Sequence, residues 1–266
     1  MAVKLTPNLS RDYYTLFNTC QIKSEKLSEI NFITGKIISN KNRYETVAKA
    51  LKIPWYFISL IHCMEASMRF DKHLHNGDPL TARTTHVPAG RPATGTPPFT
   101  WEESAKDALI MKKLDQWTNW TIPGILYKLE GYNGFGYRSN HPEVLTPYLW
   151  SFSNHYSKGK YVADGTFSET AVSKQAGAAV ILRRLAELQE VKLNPGLDTF
   201  NNNEIPELKL IKYSNKESDG GKKLQEFLNQ FPGIHLNPDG KPGKNTSDAF
   251  NKLFGYYLKG DPRITV

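Results

Sequence analysis

The chain has 266 residues, 39% hydrophobic and 23% charged, enough for one large globular domain or a medium one and a small one. Its formal net charge of +8 favours anionic polymers as partners, but the lysines are scattered and there is no arginine-rich run or basic-aromatic motif, which argues against nucleic acid. No stretch approaches the ~18 apolar residues of a membrane span, and the N-terminal MAVKLTPNLSRDYYTLF lacks the apolar core of a secretory signal. Synthesis in the cytoplasm without membrane insertion is therefore expected, and a substrate outside the cell would require release or export. Nothing in the spacing of Cys20 and Cys63 argues for a disulfide, so two buried free thiols are expected.

Residues 8–51 have roughly helical spacing of apolar positions, among them Tyr14, Leu16, Phe17, Val47, Ala50 and Leu51. A further helix is predicted from about Pro54, because proline suits the first turn. It runs through Ile58, Ile61, His62 and Glu65, a spacing that sets Glu65 on the same face as the two isoleucines. A carboxylate ending an apolar stripe marks either the mouth of a cleft or a pairing with a base, and Arg69 one turn on is the available base. Residues 71–100, rich in Pro, Gly and Thr, predict a long irregular segment with a short hairpin at Asn76-Gly77-Asp78. Helix resumes at Thr100, where Glu103 completes a capping box, and is expected to reach about Trp117. Helices are also predicted over 121–130 and 168–189.

Residues 191–220 lose periodicity and read as a linker, which divides the chain into a main domain over 1–190 and a compact tail over 221–266. In the tail, Leu224, Phe227, Leu228 and Phe231 form one amphipathic helix, and Ala249, Phe250, Leu253 and Phe254 form another. Asp239-Gly240 and Pro242-Gly243 turn the chain between them. Leu224-Gln225, then Asp239-Gly240-Lys241-Pro242-Gly243-Lys244-Asn245-Thr246, then Ala249-Phe250 match in order and spacing the pattern of the small three-helix peptidoglycan-binding domain, which this tail resembles. The third helix of that family would fall before residue 221 or be absent. The alternative is a helical hairpin that packs on the main domain.

Glycosidic cleavage needs a proton donor, commonly a carboxylic acid whose pKa is raised by an apolar site, and Glu65 beside Cys63 and Met64 meets that need. Glu65-Ala66-Ser67 resembles the Glu-Ser region of goose-type lysozymes and soluble lytic transglycosylases, although Ala66 stands between the two residues. Tyr132-Asn133-Gly134-Phe135-Gly136-Tyr137 resembles the Tyr-Asn-Ala-Gly segment of the same lysozyme-like superfamily. The likeness is scattered over residues 45–185, and the segment HNGDPLTARTTHVPAGRP suggests a phage- or bacteria-associated, endolysin-like branch. It implies a mainly α, lysozyme-like helical domain with a long irregular loop or small hairpin, plus a small helical wall-binding module. The implied activity is peptidoglycan hydrolysis by a cofactor-free monomer, a muramidase with Glu65 as general acid.

An inverting enzyme of this kind needs a second carboxylate to activate water, and the separation of Asp78 from Glu65 is similar to that between acid and assisting Asp in goose-type lysozymes. The alternative for Asp78 is a turn former before Pro79. A lytic transglycosylase would need no such group. Ser67, Arg83, His86, Tyr132, Asn133 and Tyr137 are candidate substrate contacts, with Arg91 and Trp150 as further ones. Two other readings stay open. His73, His75 and His86 with Asp78, or Ser153 and His155 with Asp164, faintly suggest a zinc amidase or peptidase. A wall-binding protein without catalysis would carry the same charge and tail.

Overall fold

A computed structural model gives the structure of the chain, described over residues 3–194, 211–231 and 233–264. It is mainly helical, as expected, with eleven α-helices and one two-stranded sheet among the described residues. The helices are α1 (Pro7–Asn18), α2 (Leu27–Ser39), α3 (Lys41–Leu51), α4 (Trp55–Ala66), α5 (Trp101–Met111), α6 (Ile122–Asn133), α7 (Gly136–Asn140), α8 (Pro147–Trp150), α9 (Ala178–Glu187), α10 (Asp219–Leu228) and α11 (Lys244–Phe254). Strands β1 (Lys160–Ala163) and β2 (Thr166–Ser168) pair antiparallel. No helix among the described residues is long and apolar enough to cross a membrane.

Helix α4 is the centre of the larger core. It packs against α3 and α9, and nine of its residues are buried, including the fully buried Phe57, Ile58, Leu60 and Ile61. It is therefore buried all round rather than along a stripe, and Glu65 does not share the environment of Ile58 and Ile61. Glu65 is the one exposed residue of α4, because the last turn passes beyond the core. Pro54 is the N-cap rather than the first helical residue.

The predicted helical stretch over 8–51 is three helices. After α1 the chain turns aside to meet residues 152–154, with an isolated bridge from Ile22 to Ser153 and a bond from the Lys23 amide to Phe152 O at 3.0 Å. A second break falls at Asn40, whose side chain caps Lys36 O at 2.9 Å. Helix α5 has the predicted capping box but stops at Met111, because Lys113 is left-handed with φ of 54°. The predicted helix over 168–189 is half strand and loop. Gly177 begins α9 so close to α8 that a Cβ there would lie 2.2 Å from Leu149 O, and the residues between β2 and Gly177 form a loop.

The expected irregular segment 71–100 has neither helix nor strand, and its predicted hairpin exists as a tight turn. The His73 amide donates to Asp78 O at 2.7 Å, Gly77 has φ of 81°, and Lys72 bridges Pro79. Cys20 and Cys63 are free and buried, and burial pushes both thiols up to about 12.

The buried apolar residues form two clusters, one from Leu9 to Leu193 and a smaller one from Leu224 to Leu258. Of the expected linker, residues 195–210 lie outside the described residues. The part from 211 onward adheres to the smaller cluster, with the Tyr213 amide on Lys259 O at 3.0 Å and the Ser218 amide on Gly240 O at 2.9 Å. That part is not helical before the N-cap Ser218, so the described C-terminal region holds two helices, not three.

Arg183 joins the two clusters. It is fully buried, and its guanidinium donates to Phe17 O and Asn18 O (both 3.3 Å), to Glu187 Oε1 (3.1 Å) and to Leu236 O (2.6 Å). The first two bonds fall on carbonyls in the last turn of α1. Removing one partner of a buried ion pair typically costs about 3–5 kcal/mol, because the other is left uncompensated. Arg183→Met is expected to destabilise the protein by an amount in that range in denaturant unfolding. A cost under about 1 kcal/mol would show that this joint does not hold the clusters together.

Acid should weaken the fold through its buried histidines. Burial lowers the His62 pKa from 6.5 to about 4 and that of His235 to about 3. Tyr44 Oη lies 3.1 Å from His62 Nδ1, and Nε2 is buried without a partner. The unfolded chain takes up these protons first, so their contribution is fully present above about pH 6.5. It is lost as pH falls from 6.5 toward 4, at a limiting slope of about 1.4 kcal/mol per pH unit for each ring. Unfolding free energies measured between pH 7 and pH 4 are expected to show this loss, and the slope should flatten in His62→Gln.

Candidate functional site

The end of α4 is fastened on several sides. The Ser67 and Met68 amides both close on His62 O, with Ser67 and Met68 left-handed at φ of 49° and 57°. Two successive non-glycine residues in that region carry backbone strain of the kind that collects at functional sites. Gln175 Nε2 donates to Met64 O at 2.9 Å, satisfying another terminal carbonyl. Ser67 is thus the exposed helix cap beside Glu65.

Glu65 does not pair with Arg69, which instead binds Asp71 at 2.9 Å. Its partner is Tyr148, whose hydroxyl donates to Glu65 Oε1 at 2.8 Å. The carboxylate opens to solvent on one side, but protein crowds the others and strips part of its hydration. That desolvation raises its pKa above the ordinary 4.5, against the opposing effects of the Tyr148 hydrogen bond and the Lys112 charge. Tyr132 lies close enough for the Glu65 charge to raise its own pKa, after burial, and Lys112 Nζ sits 5.0 Å from the centre of its ring.

Tyr148 and Gln175 also line a groove of about 570 Å³, together with Asn133 and Tyr137 from the sequence-predicted set. Gly134, with φ of 90°, ends α6 directly after Asn133. Tyr137 is held through its neighbour Arg138, which pairs with the buried Glu130 at 2.7 Å while Tyr13 Oη donates to the same carboxylate at 2.6 Å. That buried set locks α1, α6 and α7 together behind the groove. On the opposite side of Tyr137 stands the β1–β2 hairpin. The Tyr161 amide donates to Tyr137 Oη at 3.2 Å, and the Phe167 ring stacks on His141 with centroids 3.5 Å apart.

The structure thus brings Glu65, Tyr132, Asn133 and Tyr137 to one region. Asp78, Arg83 and His86 form a different constellation within residues 71–100. Asp78 is buried and accepts from the amides of Thr85 (2.7 Å) and His86 (3.1 Å) and lies 2.6 Å from His86 Nδ1. Arg83 donates to Gly95 O at 2.7 Å and covers the Phe99 ring. Arg91 pairs with Asp107 at 2.8 Å, and Trp150 is fully buried in the core, away from any cleft. These contacts organise the long segment itself.

His73 is engaged by Ser104 and Ala82 O, His75 by Asp107 and the same Ser104 hydroxyl, and His86 by Asp78. His155 turns to Leu16 O at 2.8 Å, whereas Asp164 lies on the groove. Among the described residues no three His, Cys, Asp or Glu side chains gather as metal ligands.

Tyr148, Gln175 and the hairpin residues Lys160, Tyr161 and Asp164 were not singled out as groove residues from the sequence. The hairpin had a signal, since Asp164-Gly165 between Tyr161-Val162 and Phe167 is a turn dipeptide flanked by strand formers. Tyr148 and Gln175 had none, because both owe their place to the tertiary approach of α8 and α9 to α4.

Comparison with known proteins gives no match, whether to a family model, a curated protein or a solved structure.

Tyr148→Phe removes a hydrogen bond that favours the ionised carboxylate, so the Glu65 pKa is expected to rise further. Carboxyl ¹³C NMR titration of the variant against the wild type measures it. An unchanged or lower midpoint would mean that Tyr148 does not tune this acid.

Proposed function

We propose that the protein is a peptidoglycan glycosidase that cleaves the β-1,4 bond between N-acetylmuramic acid and N-acetylglucosamine, with Glu65 as general acid. One observation carries the reading. Glu65 is the sole exposed residue of a buried helix, its pKa is raised by desolvation, and its hydrogen-bond partner lines an open groove. A raised pKa keeps a carboxylic acid protonated long enough to donate to a leaving oxygen. The groove volume falls within the usual range for ligand sites, and its wall mixes tyrosine rings with Asn133, Asn140 and Gln175, side chains suited to sugar hydroxyl and acetamido groups.

Three further features support the reading. The net charge of +8 suits an anionic wall polymer. The C-terminal region, residues 221–266, resembles a peptidoglycan-binding module. The resemblance of Glu65-Ala66-Ser67 and of the Tyr132–Tyr137 segment to lysozyme-like enzymes points to the same substrate. The protein acts on the wall as a monomer without a cofactor, after release or export from the cytoplasm.

Purified walls digested with wild type and Glu65→Gln test the assignment. Release of muropeptides, followed by mass spectrometry, is expected to fall about 100-fold or more in the variant. Wild-type activity should also decline as pH rises through the elevated Glu65 pKa, since the acid must be protonated. Full activity in Glu65→Gln would remove Glu65 from the role and the glycosidase reading with it.

A further inference from the structure

We propose that Asp164, at the tip of the β1–β2 hairpin, is the carboxylate that activates water in this reaction, and that Asp78 is not. The inference rests on the glycosidase reading, which requires a second group to complete hydrolysis once Glu65 has given its proton.

Asp78 is unsuited to the task because its oxygens are already occupied. Oδ2 accepts from the Thr85 amide and hydroxyl (2.7 and 3.3 Å), the His86 amide (3.1 Å) and Asn76 Nδ2 (3.2 Å), and Oδ1 lies 2.6 Å from His86 Nδ1. These bonds, led by that to the His86 ring, hold its pKa well below the usual carboxylate range. A carboxylate so engaged is a poor base.

Asp164 has the opposite character. It is exposed, it lines the same groove as Tyr148, and no described group hydrogen-bonds or pairs with its carboxylate. Among the described residues lining that groove it is the only carboxylate, and Tyr148, on the same lining, carries the hydrogen bond to Glu65 at the end of α4. The hairpin is built to hold a position. Tyr161 is tied to both walls of α7, through its amide to Tyr137 Oη (3.2 Å) and through its hydroxyl from Asn140 Nδ2 (3.2 Å). The strand register slips between Tyr161 and Ala163, directly before Asp164. Such irregularities re-aim side chains and are frequent beside active sites. Gly159 permits the hairpin to leave the body here, since at φ of 93° a Cβ would meet Phe167 and Val144 at 3.1 Å.

The chemistry balances without any further reactant. The Glu65 carboxylic acid gives its proton to the glycosidic oxygen as the bond from C1 to that oxygen breaks. Water attacks C1 from the opposite face, and the proton it sheds passes to Asp164. One water is consumed, the new reducing end carries its hydroxyl with inverted configuration, and Glu65 and Asp164 exchange protonation states before the next turnover. A gap between the two carboxyl groups is what this route requires, because the water must fit beside the sugar.

The test compares wild type, Asp164→Asn, Glu65→Gln and the control Glu169→Gln on purified walls. Products are analysed by mass spectrometry and binding by sedimentation with the walls. Asp164→Asn is expected to lose about 100-fold in hydrated reducing ends while sedimenting like wild type. Added sodium azide should restore turnover in that variant, with a glycosyl azide as product, and Glu169→Gln should act like wild type. Several results would overturn the proposal. One is Asp164→Asn within about twofold of wild type. Another is wild-type product ending in 1,6-anhydro sugars, which would mean that the substrate's own hydroxyl closes the reaction. A third is loss of wall binding in parallel with activity and no azide product, which would make Asp164 a binding residue. Full activity in Glu65→Gln is a separate failure, that of the glycosidase reading itself.

Discussion

The burial of α4 on every side is the constraint from which the rest follows. Each of Phe57, Ile58, Leu60 and Ile61 is fully enclosed, and removing a side chain of that size from water is worth roughly 1.5–3 kcal/mol. A helix paid for in this way cannot rotate or slide without exposing apolar surface, so its last turn is held at a definite place on the rim of the core. Glu65 occupies that turn. Its exposure, its partial desolvation and its nearness to the groove are all consequences of where the buried helix ends.

The polar groups around Glu65 act on that fixed point. Gln175 satisfies Met64 O from the loop before α9, and Tyr148 reaches the carboxylate from α8. The approach of α8 to α9 depends on Gly177, which leaves no room for a Cβ against Leu149 O. Behind the groove, the Glu130 carboxylate is buried, and the pairing with Arg138 and Tyr13 makes that burial tolerable. A charge pair of this sort contributes direction more than stability, and its direction here is the orientation of α7, and with it Tyr137.

Much of the fold was legible because local signals and tertiary demands agree there. The capping box at Thr100, the helix that follows Pro54, the turn at Gly77 and the two C-terminal amphipathic helices all appear as the sequence indicates. Failures occur where tertiary contacts override local pattern. Residues 21–23 leave the helical path to pair with 152–154, and residues 169–177 form a loop that seats Gly177 against α8. The candidate site divides along the same line. Glu65, Asn133 and Tyr137 belong to local motifs and were legible as such. Tyr148 and Gln175 come from chain segments remote from Glu65, and no spacing rule connects them to it. Asp78 shows the complementary case, since a spacing likeness cannot reveal the bonds its oxygens make to Thr85 and His86.

The C-terminal region shows what motif residues can and cannot say about function. The Gln225 side chain donates to Asp239 Oδ1 (2.8 Å), Lys241 O (3.2 Å) and Thr246 Oγ1 (3.1 Å), and its own oxygen accepts from the Gly240 amide at 2.8 Å. Asn229 brackets the Leu236 backbone with bonds of 2.6 and 2.9 Å, at the same carbonyl that Arg183 reaches from the other cluster. The residues that carry the resemblance, Gln225, Asp239, Gly240 and Thr246, are thus spent on one internal network that closes the turn between α10 and α11. They specify a way of folding a short segment with a small core. Arg183 docks one edge of this region against α9 through that carbonyl, so the fold of the small core and its seat on the larger one meet at Leu236.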